Sequence, residues 1–102
     1  MRKMMILCTV ALLLAAPMVM ADGAAVYKAK CASCHGADGA GQTGVGKAMK
    51  LRDLGSADVQ KQTDAELTSI TTDGKGKMPA YKGKISDDEI KQVVAFIRTL
   101  KK

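Results

Sequence analysis

The clearest periodicity lies at the C-terminal end of the chain. Ile90, Val93, Val94, Ile97 and Leu100 recur there at the spacing of an amphipathic helix. Ser86-Asp87-Asp88-Glu89, just before them, reads as a capping box with acidic side chains in the positive first turn. Ile85 and Ile90 hold the two positions of a hydrophobic staple, and Arg98, Lys101 and Lys102 suit the negative helix end. A second capping box, Thr63-Asp64-Ala65-Glu66, opens a helix that turns Leu67 and Ile70 inward. It should stop near Asp73, because Gly74 suits the position past a helix end. A third helix is predicted from about Ala24 to Ser33, with Asp22 as N-cap and Val26, Tyr27 and Ala29 as a modest apolar face. By themselves these stripes are core packing and carry no chemistry.

Between them the pattern fades. Gly36 to Gly46 holds five glycines in eleven positions, which predicts an irregular loop able to wrap closely around a flat ligand. Met49–Leu54 and Ala57–Gln62 are short and ambiguous, with Ser56 a cap for the second. No segment reads convincingly as a strand.

The N-terminus reads as a leader. Arg2 and Lys3 precede an apolar run from Met4 to Ala16, and Val19-Met20-Ala21 offers small residues for cleavage after Ala21. Residues 1–21 are therefore expected to be a cleaved signal peptide, and 22–102 a single domain. An uncleaved anchor is the competing reading, but the run is marginal in length and Pro17 interrupts it. Export removes Cys8 and five of the seven methionines, leaving Met49 and Met78. Of the 16 Lys and Arg, two (Arg2 and Lys3) leave with the leader, so 14 face 10 acidic residues and the net charge is +4. No basic stripe is interleaved with stacking aromatics, so nucleic acid is not an expected partner. With no tryptophan, one phenylalanine and two tyrosines, the polypeptide core is thin for a domain of this size.

What supplies the missing apolar mass is indicated by Cys31-Ala32-Ser33-Cys34-His35. A C-x-x-C-H sequence puts two sulfurs on one helical turn, where they can form thioethers to a haem, and sets the histidine beneath the iron. A structural zinc site would need four ligands, yet His35 is the sole histidine and only two cysteines remain after export. A redox-active dithiol would expect a βαβ pattern around the motif, and none is seen. One covalent haem c is the cofactor expected, held by Cys31 and Cys34 with His35 as an axial ligand.

The second axial ligand decides between electron transfer and ligand chemistry. With no second histidine, the choice lies between Met49 and Met78. Met78 sits in a polar loop, Gly74-Lys75-Gly76-Lys77-Met78-Pro79, where the proline enforces extended backbone. Met49 lies among apolar neighbours at helical spacing and reads as a core gap-filler. Met78 is therefore the expected ligand, and a His/Met pair raises the reduction potential and suits one-electron shuttling.

With these residues in hand, the chain resembles the class I c-type cytochromes, small soluble monohaem proteins with an N-terminal C-x-x-C-H and a later methionine loop. The likeness covers essentially all of Asp22 to Lys102. It implies an all-α fold of three to five helices wrapped around one covalent haem, with no catalytic residues. It also implies a crossing of the first and last helices at Gly23 and Tyr27 on Val93 and Phe96. Two features depart from the family pattern. No proline lies between Cys34 and Met78 to offer its carbonyl to the proximal histidine, so a carbonyl from Gly44 to Lys47 is expected to serve. The usual tryptophan near a propionate is missing as well.

The function expected is that of an exported, periplasmic electron carrier between respiratory or photosynthetic redox partners. A haem subunit of a larger oxidoreductase, or a small-ligand-binding or peroxidatic haem protein, are the alternatives. Lys75, Lys77, Lys82 and Lys84 crowd residues 74–84 with no acid among them. Docking onto acidic patches of partners near the haem edge is therefore expected. A monomer with no stable membrane insertion after cleavage completes the expectation.

Overall fold

Ser86 caps the longest helix as its sequence demands: its hydroxyl accepts from the Glu89 amide at 3.0 Å, and the Glu89 carboxylate accepts from the Ser86 amide at 2.8 Å. The computed structural model describes residues 22–102, so the leader expected at 1–21 lies outside the described residues. Among the described residues the chain forms six helices and no strand: α1 (Gly23–Lys30), α2 (Ala32–His35), α3 (Gly44–Met49), α4 (Ala57–Gln60), α5 (Asp64–Asp73) and α6 (Asp87–Arg98). Two isolated bridges, Lys75 with Met78 and Lys82 with Ile85, are the only strand-like pairings among them. The all-α architecture is as expected. The helix count exceeds three to five because the motif helix is cut in two and short turns form at α3 and α4.

Helices α5 and α6 start where the capping boxes put them. Thr63 and Glu66 exchange the same pair of bonds as Ser86 and Glu89, at 3.0 and 2.8 Å. Helix α6 buries Ile90, Val93, Val94 and Ile97, and α5 buries Leu67 and Thr71. Ile70 is only half-buried, since it lines the recess described below. Ser56 caps α4, its hydroxyl 3.4 Å from the Val59 amide.

The first helix does not run unbroken to Ser33. The Cys31 amide closes α1 onto the Tyr27 carbonyl at 2.8 Å, and Cys31 itself is stretched to φ −116°, ψ −33° before α2 begins. Helix α2 is then a single turn ending at Gly36. The glycine-rich stretch also becomes ordered earlier than expected. The Thr43 hydroxyl accepts from the Gly46 amide at 2.8 Å and donates to the Cys34 carbonyl at 2.6 Å, so α3 starts at Gly44 and is tied to the motif.

Helices α1 and α6 cross at Gly23, which must be glycine because a Cβ there would collide with the Gln92 carbonyl oxygen. One turn along, the Tyr27 ring packs on Phe96 with centroids 4.8 Å apart at 43°. Val93 lies in the same buried cluster, with Val59, Leu67, Val94 and Ile97. Tyr27 therefore takes the aromatic place the resemblance implied, while Gly23 meets the backbone of Gln92, the residue before Val93.

Candidate functional site

Helix α2 consists of the motif itself, and its brevity governs the site. One turn carries Cys34 and His35 while Cys31 stands at its N-cap, so all three reach the same side of the chain. Cys31 and His35 open onto a cavity of about 230 Å³ whose apolar walls include Tyr27, Leu51, Leu54, Val59, Leu67 and Val93. A second cavity of about 110 Å³ adjoins it, with Cys34, Met49, Pro79 and Tyr81 in its wall. Cys31, His35, Leu51 and Met78 line both. All four residues expected from the sequence to hold the cofactor, Cys31, Cys34, His35 and Met78, thus line one recess.

The cysteines are free thiols, half-buried and not joined to each other. Burial pushes the Cys31 thiol up to about 11, and the neighbouring Cys34 adds to the rise. A redox-active dithiol needs the opposite, a thiolate stabilised near neutral pH. Among the described residues no group of three or more His, Cys, Asp or Glu side chains could hold a metal ion, which leaves no zinc site there.

Burial holds the His35 imidazole below its ordinary pKa, so the ring is neutral near pH 7 and a nitrogen lone pair is available to a metal. Its Nδ1 is buried without a hydrogen-bond partner. The carbonyl expected from Gly44–Lys47 is not bonded to it. Gly46 is packed tightly against the carbonyls of Cys34 and Gly41, and this pins α3 to the motif without presenting an acceptor to the ring. A neutral imidazole with an unpaired nitrogen in an apolar recess, beside two thiols and a thioether, fits haem iron and its porphyrin well.

Met78 is held at the end of a tight hairpin that leaves the C-terminus of α5. The Lys75 amide donates to the Met78 carbonyl at 3.1 Å and the Met78 amide donates to the Lys75 carbonyl at 3.0 Å. Gly74, at φ 78°, makes this return possible: a Cβ there would stand 2.6 Å from the Met78 carbonyl oxygen. Met78 is half-buried and faces both cavities. Met49 lines only the smaller one and is 41% exposed, so it is no core gap-filler.

Part of the site comes from segments the sequence pattern left ambiguous. Leu51, Leu54 and Val59 form wall, and Lys50, Arg52 and Lys75 bring cations to the larger cavity. Two carboxylates on a buried porphyrin would need such counter-charges. The signal for them was only a run of basic residues with leucines between, at no regular period. Among the described residues no helix is long and apolar enough to cross a membrane.

Comparison with known proteins follows the same lines. Residues 19–97 match the family model described as cytochrome c oxidase, cbb3-type, subunit III. The chain is 40% identical over 77 residues to cytochrome c6 of Leptolyngbya boryana, covering 76% of this chain and 87% of that protein. It is 36% identical over 80 residues to cytochrome c-551 of Halorhodospira halochloris, covering 74% of this chain and 94% of that one. The solved structure of the KustC0563 c-type cytochrome superposes with a TM-score of 0.75 at 31% identity, over 80% of this chain and all of that one.

Proposed function

This chain belongs to the cytochrome c oxidase, cbb3-type, subunit III family of c-type cytochrome domains, homologous to cytochromes c6 and c-551, and from that premise we propose how its residues carry electrons. It is an electron carrier with one covalent haem c, and not an enzyme. Cys31 and Cys34 hold the porphyrin as thioethers, and His35 and Met78 ligate the iron. The observation that supports this most is the convergence of those four side chains on one apolar recess.

Bound there, haem supplies a one-electron iron couple, and the polypeptide's part is to tune and protect it. The soft Met78 thioether favours the reduced metal and raises the potential. Leu51, Leu54, Val59, Leu67 and Val93 keep water from the larger cavity, which strengthens electrostatic interactions inside it. Lys50, Arg52 and Lys75, at the larger cavity, would neutralise the carboxylates of the bound group. With both Met78 and His35 holding the iron, no position would be left for a substrate.

Electron carriers must meet a donor and an acceptor. Val45 and Met49, each 41% exposed, are the exposed large hydrophobics among the described residues, one turn apart on α3. Lys47 and Lys50 flank them, and Lys30 and Lys77 edge the adjoining smaller cavity. An apolar centre with a basic rim suits brief docking on an acidic partner surface. The protein does this outside the cytosol as a monomer comprising residues 22–102, once the leader at 1–21 is removed.

The family's description favours a second reading, a haem subunit within an oxidase, in which the same recess serves a fixed partner. Redox titration of wild type and Met78→Ala tests the ligand assignment. Loss of the thioether should lower the midpoint potential by on the order of 100 mV or more and open the iron to carbon monoxide and cyanide. An unchanged potential and coordination spectrum would overturn it.

A further inference from the structure

The segment that carries Met78 is fastened at one end far better than at the other. At its base, Gly74 bonds back to the Ile70 carbonyl at 2.8 Å. The Tyr81 and Lys82 amides donate to the Thr71 and Thr72 carbonyls, each at 3.0 Å. Lys75 and Met78 bond each other, and Lys84 and Ile85 bond the Tyr81 carbonyl. All of these contacts stay within the segment or end on α5. Among the described residues, a single hydrogen bond crosses from residues 74–85 to α1, the helix that ends just before Cys31: the Tyr81 hydroxyl donates to the Lys30 carbonyl at 2.9 Å.

That acceptor is available for a local reason. Lys30 is the last residue of α1, and the helix breaks at the next residue. The Cys34 amide, which an unbroken helix would direct to Lys30, bonds Cys31 instead at 3.2 Å. The break that lets the motif form one turn of its own thus leaves a free carbonyl immediately before Cys31, and Tyr81 fills it. The Tyr81 ring meanwhile forms part of the smaller cavity's wall beside Cys34 and Pro79.

We propose that Tyr81 is a positioning residue, a latch that holds the Met78 segment shut against the end of α1 just before Cys31 and so sets how often the sulfur leaves the iron. The inference rests on the assignment of Met78 as ligand. Opening this side of the recess requires the Tyr81–Lys30 bond to break, whereas the bonds to α5 can persist as a hinge. A net hydrogen bond of ordinary strength corresponds to a change on the order of threefold to tenfold in such an opening equilibrium.

Imidazole capture by the oxidised, haem-loaded protein measures the opening directly. At saturating imidazole the capture rate reaches the rate at which the methionine lets go. Tyr81→Phe removes only the hydroxyl and keeps the ring. It should raise both the plateau rate and the imidazole affinity about threefold to tenfold, while the sulfur-to-iron charge-transfer absorption of the ligand-free form remains. Arg98→Ala, which weakens the fold on the α4–α5 side away from the latch, serves as comparison and should stay within about twofold of wild type. The latch is refuted if Tyr81→Phe also stays within twofold, or if Arg98→Ala speeds capture as much, since general loosening would then explain both. If wild type itself lacks the charge-transfer absorption, the Met78 assignment fails first and the latch with it.

Discussion

Arg98, at the end of α6, is the most informative side chain to remove for stability. Its guanidinium donates through Nη1 to the Gln60 carbonyl at 2.9 Å and through Nη2 to the Gln62 carbonyl at 2.5 Å. Its Nε donates to the Asp64 carboxylate at 2.9 Å. These bonds tie the last helix to the α4–α5 connection, where both carbonyls would otherwise lack a partner. The Arg98 side chain is 29% exposed and that of Asp64 is 75% exposed, so the ion pair is largely screened and contributes no more than about 0.5 kcal/mol. The two carbonyl bonds come from a charged donor in a partly buried place and contribute about 1 kcal/mol each. Arg98→Ala should therefore cost about 2–3 kcal/mol, and Asp64→Ala about 0.5 kcal/mol or less. Denaturant unfolding of the haem-loaded protein, followed by helical circular dichroism, measures both. In a domain this small the larger loss corresponds to a melting point lower by roughly 10–20 °C. Arg98→Lys should recover less than half, since one ammonium cannot reproduce the planar fork. Equal costs for Arg98→Ala and Asp64→Ala would mean that the surface pair carries the energy and would refute this account.

Two further outcomes follow from the charges. Burial pushes the Tyr27 phenol up to about 12, and its hydroxyl donates to the Gly36 carbonyl at 2.6 Å. The folded state therefore holds this proton more tightly than the unfolded chain, whose tyrosines titrate near about 10. The stability this adds is complete below pH 10 and is lost as pH climbs from there through 12. Unfolding curves across that range should fall less steeply for Tyr27→Phe than for wild type, and identical slopes would count against it. Electron-transfer rates with an acidic partner should drop on the order of tenfold or more as ionic strength rises past physiological, if the basic rim steers encounter. A flat dependence would leave those lysines as solvated surface.

Helices α5 and α6 were legible because their signals are local: a capping box at each start, a staple, and an apolar stripe that the structure buries. The motif and Met78 could be singled out because so few side chains can ligate iron and the chain offers few of them, and the structure brings them to one recess. The break at Cys31 left no trace in composition, since it arises from how the motif turn seats against the rest of the fold. Helix α3 was hidden by its glycines, which argue for loop until Thr43 is seen capping the turn. Leu51, Leu54 and Val59 carry no readable period, because they follow the curve of the recess and not one face of a helix. Met49 misled for the converse reason. Its apolar neighbours fit a helix, but which side of that helix lies against the protein is a tertiary fact.

That last point bears on why so small a chain with so few aromatics folds at all. Among the described residues the buried hydrophobics are Tyr27, Val59, Leu67, Ile90, Val93, Val94 and Ile97, and all but Ile90 and Val94 line the larger cavity. Most of the core of the fold thus doubles as wall of the site. Water in that cavity would face almost wholly apolar surface, which is costly at about 25 cal/mol per Å². A flat apolar group there turns that cost into stabilisation on every face it covers. Thioethers at Cys31 and Cys34, as proposed above, would make the group part of the chain, and its contribution would then not depend on a binding equilibrium. A core held this way resists rearrangement at the walls around the iron, and an iron whose surroundings stay put when its charge changes by one exchanges electrons with little reorganisation.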